Sequence, residues 1–96
     1  MLKAVPVSFV ENNEVRVTEW QFAPGAATGH HRHDFDYVVV RLTDGILRLI
    51  SAAAEAKSEP KSGVAYFRKA GVEHDVINAG NQYLAFVEVE LLDHPG

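Results

Sequence analysis

Residues 25–50 read GAATGHHRHDFDYVVVRLTDGILRLI, and the reading of this stretch decides the fold. A glycine-bounded turn leads into His31 and His33. Asp36 to Leu42 then forms a β-branched and aromatic run, closed by Thr43-Asp44-Gly45 and followed by Ile46 to Ile50. Valine, isoleucine and tyrosine favour the pleated strand, and a short Asp-Gly turn between two such runs predicts a hairpin. Side chains on a strand alternate between its faces, so His31 and His33 are expected on one face and His30 on the other.

The same period of two extends in both directions. Val5 to Val10 reads as a strand with an edge-type proline at Pro6. Glu11-Asn12-Asn13-Glu14 is a turn, and Val15 to Phe22 is a long strand broken by Ala23-Pro24-Gly25. Thr28 to His33 is short and extended. Ala52 to Lys57 is alanine-rich, but six residues without a cap or an apolar stripe make a weak helix, so it is read as a strand ahead of the Glu59–Gly63 turn. Val64 to Phe67 and His74 to Ile77 flank a Lys69-Ala70-Gly71 turn, and Tyr83 to Leu92 is the last strand. About nine short strands with turns at regular spacing, and no convincing helix, call for an all-β sandwich or barrel.

Parity assigns faces. Arg41 prefers water, so Asp36, Val38, Val40 and Leu42 are expected to face the interior. In the last strand Leu84, Phe86, Glu88 and Glu90 share a face. The two glutamates are then either acceptors behind a functional group or partners in pairing between strands or subunits.

Length and charge bound the class. Ninety-six residues make a single domain, 1–96, with a modest core, because a chain this short buries roughly 60–65% of its unfolded surface. No cationic start precedes a long apolar run and no stretch reaches the ~18 apolar residues of a membrane span, so neither signal peptide nor membrane partner is expected. The absence of cysteine rules out disulfides and thiolate ligands and suits a cytoplasmic protein. A net charge of −4 with scattered basic residues gives no support for nucleic-acid binding.

What remains is the histidines. A third imidazole, His74, sits in its own glycine-flanked segment, Gly63 to Asn78. An H-x-H pair alone could be two ordinary surface histidines, but with His74 the three are expected to supply one side of a metal's coordination sphere, with open positions opposite. Imidazoles without thiolates suit a divalent transition metal: Fe, Mn, Ni, Zn or Cu. His94, near the chain end, is expected to be exposed.

At this point the chain resembles the cupin superfamily, as a small single-domain cupin. That family's first motif is G-x5-H-x-H-x3/4-E-x6-G, matched here by Gly25, His31, His33 and Gly45. Its second is G-x5-P-x-G-x2-H-x3-N, matched by Gly63, Gly71, His74 and Asn78, with Lys69 in place of the proline. The family's glutamate position holds Val38, or Tyr37 at the shorter spacing. Asp36, two residues upstream on the parity of Val38, is the candidate fourth ligand, with a turn or a salt bridge as its alternative role. The runs around His31–Gly45 and Tyr66–Asn78 also resemble a narrower group of small bacterial cupins, some described as β-alanine degradation proteins.

The resemblance implies a double-stranded β-helix, or jelly-roll barrel, and a metal held by His31, His33 and His74. Tyr37 and Tyr66 are candidates to shape the pocket. The function expected is that of a metal-dependent enzyme of oxygenase, isomerase or lyase type, acting on a small organic acid or amino-acid-derived metabolite. The alternative is a non-catalytic cupin that binds a small ligand or contributes structure, a reading favoured by the missing glutamate. A homodimer joined through Val5–Val10 is also expected, because a small barrel leaves sheet edges to cover.

Overall fold

The computed structural model describes residues 2–92. Nine strands follow one another: β1 (Val5–Glu11), β2 (Val15–Phe22), β3 (His31–Arg32), β4 (Tyr37–Arg41), β5 (Leu47–Ile50), β6 (Glu55–Ser58), β7 (Ala65–Arg68), β8 (Glu73–Asn78) and β9 (Leu84–Leu91). They form a five-stranded sheet ordered β1-β2-β9-β4-β7 and a four-stranded sheet ordered β3-β8-β5-β6. Every strand ladder is antiparallel. The all-β expectation is met, and most boundaries agree to within a residue or two. Among the described residues no helix is long and apolar enough to cross a membrane.

Two local readings need correction. The hairpin expected between residues 36–42 and 46–50 does not form. β4 pairs with β7 and β9, whereas β5 pairs with β6 and β8 in the other sheet. The Thr43-Asp44-Gly45 turn therefore carries the chain from one sheet to the other. Gly45 makes that passage sterically, since a Cβ there would meet Leu84 Cδ1 at 2.5 Å. The alanine-rich segment is a strand only from Glu55. Before it, Ser51 and Ala54 close a tight turn, the Ser51 N–H and Oγ both donating to the Ala54 carbonyl at 2.9 and 3.1 Å.

The Asn12 turn is as read: its side-chain oxygen accepts from the N–H groups of Glu14 and Val15 at 2.8 and 2.9 Å. Pro6 lies on β1, which is an edge strand, so its missing N–H leaves no gap inside the sheet. The core lies between the sheets at the end where Phe22 and Leu84 are fully buried, with Phe22 and Phe86 rings tilted at a centroid separation of 5.4 Å. Burying one such side chain is worth about 1.5–3 kcal/mol.

The other end of the sandwich is not filled. Paired residues on antiparallel strands point to the same side, so the inner face of the large sheet is made of rows. One row is Trp20, Phe86 and Arg41. The next is Thr18, Glu88, Val39 and Tyr66, and the third is Arg16, Glu90, Tyr37 and Arg68. Tyr37 and Val39 are buried while Val38 and Val40 are not. The interior set of β4 is thus Tyr37, Val39 and Arg41, opposite to the parity expected from the sequence. The water preference of Arg41 misled the assignment because the interior here contains a cavity whose rim gives the guanidinium polar and aromatic neighbours, Ser58 and Tyr66.

Candidate metal centre

Sheet register assembles the histidines. His31 on β3 is the direct cross-strand partner of His74 on β8, so the two imidazoles stand side by side on one face. His33 follows two residues after His31 and returns to the same face. Its backbone continues the pairing past the end of β3: the His33 N–H donates to Val72 O at 2.9 Å, and the Gly71 N–H donates to His33 O at 2.7 Å. Gly71 sits at φ +103°, a conformation open to glycine and costly for other residues, and so turns the chain in time to bring His74 into register.

The three rings converge through one nitrogen each. Nε2 of His33 lies 3.1 Å from Nε2 of His31 and 3.2 Å from Nε2 of His74. Their neighbours fix the tautomers. Nδ1 of His31 is 2.9 Å from the Gly29 carbonyl, which only accepts. Nδ1 of His33 is 3.0 Å from the Glu88 carboxylate, and both side chains are almost fully buried. Each Nδ1 therefore carries the proton, and Nε2 of His31 and of His33 presents a bare lone pair. Two lone pairs facing each other at 3.1 Å repel unless a cation stands between them. Bonds of ~2.1 Å meeting at right angles place ligand nitrogens ~3.0 Å apart, and tetrahedral bonds place them ~3.4 Å apart. The observed separations fall between these values, so the donor set fits a divalent transition metal.

Burial pushes the His74 imidazole down to about pKa 4, assisted by the neighbouring His31 and His33 and opposed by Glu88 and Asp75. It is neutral, and so able to ligate, across the whole physiological range. Tyr37 stacks on His33 at a centroid distance of 3.9 Å and an interplanar angle of 16°. Burial raises its phenol well above the ordinary value, helped by Tyr66 and Glu88, so it remains a protonated donor in the cavity.

The remaining sequence candidates separate cleanly. Glu88 is the acceptor behind His33, while Glu90 accepts from Arg16 Nη1 at 3.2 Å within the sheet. The carboxylate of Asp36 accepts from the Ala70 N–H at 2.8 Å, next to the Gly71 turn, and Asp36 is not among the side chains whose ligand atoms cluster within 4.8 Å, which are His31, His33 and His74. The parity argument for Asp36 falls with that for Val38. His30 points away from the triad and lies 3.5 Å from Glu73. His94 lies outside the described residues. Asn78 is structural: its amide donates to the carbonyls of Phe22 and Gln82 at 3.1 and 2.8 Å, locking the turn after β8.

A cavity of about 120 Å³ opens beside the triad. Trp20, Val39, Leu49, Val76 and Phe86 supply apolar wall, and Arg41, Tyr66 and Arg68 supply a polar side. Sequence reasoning picked out Tyr37 and Tyr66 but missed both arginines. The signal available was the alternation itself: Tyr37, Val39 and Arg41 form one set, and the aromatic member marked it as the buried one.

No family model matches the chain. Over 89 residues it is 57% identical to the β-alanine degradation protein BauB of Pseudomonas aeruginosa, covering 93% of this chain and 94% of that protein. A cupin domain from Bordetella pertussis superposes with a TM-score of 0.91 at 46% identity, covering 94% of each chain. A double-stranded β-helix protein from Klebsiella pneumoniae has a TM-score of 0.79 at 21% identity, covering 98% of this chain and 81% of that one, a likeness of fold alone.

Proposed function

Because the chain belongs to the cupin superfamily, among the small cupins similar to BauB, we propose that it binds a divalent transition metal through His31, His33 and His74 and acts on a small metabolite. The observation that carries this reading is the pair of lone pairs aimed at each other from His31 and His33, each fixed by an acceptor on the far side of its ring. The set suits Fe, Mn, Ni, Zn or Cu. Bound there, such a metal supplies Lewis-acid or redox chemistry toward a substrate in the adjoining cavity.

The chain's own residues define the rest. Glu88 holds His33 in the ligating tautomer and fixes the orientation of its ring. Tyr37 offers a neutral phenol to a substrate oxygen, and the apolar wall excludes water. The relative's name places that protein in β-alanine degradation. Carried over to this chain, it makes the substrate a short amino or oxo acid, and the reaction an oxygenation, isomerisation or elimination. Metal analysis of protein purified without a nickel column, followed by turnover assays with short β-amino and β-oxo acids, tests both halves. One metal per chain with turnover supports the enzyme. One metal without turnover supports a ligand-binding cupin, the reading favoured by the absence of a family glutamate. No metal under any loading condition defeats the proposal.

The chain is also proposed to be a cytoplasmic homodimer. β1 is exposed at every residue, it is a sheet edge, and Val5, Val7, Phe9 and Val10 place apolar surface on it. Light scattering is expected to give twice the 10.6 kDa chain mass, and a purely monomeric result rejects the dimer.

A further inference from the structure

The cavity has a second polar wall that the metal reading does not use. Tyr66 on β7 faces inward opposite Val39, and an arginine stands on either side of it along the strand direction. Arg68 follows Tyr66 by two residues on β7 and pairs with Tyr37. Arg41 follows Val39 by two residues on β4, and its N–H bonds to Val64 O at 3.0 Å. Both guanidiniums lie over the Tyr66 ring, with Cζ 4.6 Å from the centroid for Arg41 and 4.4 Å for Arg68.

Among the described residues neither cation meets a carboxylate. Among the described residues the other surface arginines meet carboxylates: Arg16 with Glu11 and Glu90, Arg32 with Asp34 and Glu73, Arg48 with Glu55. Arg41 donates to the Ser58 hydroxyl at 3.2 Å and Arg68 to the Phe67 carbonyl at 3.1 Å, both uncharged. In a chain of net charge −4, two unpaired guanidiniums sharing one aromatic ring on a cavity wall are a local exception. A ring face favours a cation, but it does not replace the charged acceptor that a planar guanidinium fork binds best.

We propose that Arg41 and Arg68 form a carboxylate-binding end of the cavity, so that its ligand is a short acid whose opposite end lies toward the histidines. Size sets the length. A cavity of ~150 Å³ accommodates benzene, with six heavy atoms. At about 120 Å³ this cavity matches a ligand of about that size, a three-carbon acid with one further functional group. The proposal rests on the reading of the histidines as the metal site only for what the far end of the ligand meets. The anion end is testable without metal.

The test is a titration followed by NMR, on metal-free and metal-loaded protein, with propionate, its neutral isostere propionamide, and β-alanine. Metal content is measured on the same samples. Propionate is expected to bind metal-free wild-type protein at least ~10-fold more tightly than propionamide, consistent with the greater strength of charge-assisted bonds. Arg68→Gln, at an exposed position, and Arg41→Gln are each expected to weaken propionate by ~10-fold or more, leaving propionamide binding and metal content unchanged. Arg41→Lys, which keeps the charge but loses the fork, is expected to fall between. Propionate binding unchanged in both glutamine variants overturns the proposal, as does propionate binding that vanishes with His74→Ala and persists without the arginines. Wild-type protein that holds no metal but binds propionate through Arg41 and Arg68 defeats the metal reading and supports this one.

Discussion

The two ends of one cavity differ in how their charges and dipoles are settled. At the histidine end, His31 and His33 are anchored from behind by Gly29 O and Glu88, and their Nε2 lone pairs face each other with Nε2 of His74 beside them. At the arginine end, Arg41 and Arg68 rest on an aromatic ring and neutral oxygens, and the unsatisfied quantity is positive charge. The first end lacks a cation and the second lacks an anion. A metal and an acid occupying the same space would satisfy both, which makes the contrast a physical account of ligand orientation.

The largest effect that separates the ends is expected from His74→Ala. Metal should fall from one per chain to near zero, and the rise in melting temperature on adding metal should disappear, while Arg68→Gln leaves both intact. Elemental analysis and thermal melts on the two variants check this. Equal metal content in His74→Ala and wild type would remove the histidine end altogether.

Glu88→Gln is next. It keeps the shape and removes the charge behind His33, and loss of such a partner typically costs 10–100-fold in metal affinity. Competition with a chelator measures it. An unchanged affinity would mean that His33 is oriented by its stacking on Tyr37 alone.

A smaller effect is expected from pH. Burial lowers His74 to about 4, whereas in the unfolded chain it titrates near ~6.5. Between those values the unfolded state binds the extra proton, so unfolding is increasingly favoured as pH falls. Metal-free protein should therefore lose thermal stability progressively from about pH 6.5 to about pH 4. His74→Gln should flatten that slope. A wild-type melting temperature constant over the window would contradict the burial of this imidazole.

The smallest effect is expected from Tyr37→Phe. The ring and its stacking on His33 survive, so metal content should be unchanged, while β-alanine or propionate should bind metal-loaded protein about tenfold more weakly or less, the range of one neutral hydrogen bond. Loss of metal in this variant would show that the phenol hydroxyl supports the histidine end rather than the ligand.

Much of this was legible before the strands were placed. The spacing of His31 and His33 required a common face, and the glycines around His74 marked a second turn-bounded segment. Parity with Phe86 put Glu88 on the inner face, but left open whether it backs a functional group or pairs between strands or subunits; its contact with His33 Nδ1 decides that. Other features were not legible, for identifiable reasons. β4 and β5 have the pattern of a hairpin, but Gly45 passes so close to Leu84 that the chain crosses between sheets there. Arg41 carries a charge that ordinarily belongs in water, and only the cavity behind β4 makes its inward direction favourable.

By itself the sequence determined the alternation, the strand count and the chemistry of the donor set, because these are local properties of residue type and spacing. Only the tertiary structure decided which face of each strand turns inward and which residues meet across the sheets. Residues 37–42 carry apolar side chains on both faces, so their period of two divides the strand without assigning either side. Closure of the two sheets against each other makes that assignment. Register within the small sheet sets Nε2 of His74 3.2 Å from that of His33, register within the large sheet brings Arg41 and Arg68 to the same ring, and closure turns both groups toward one cavity.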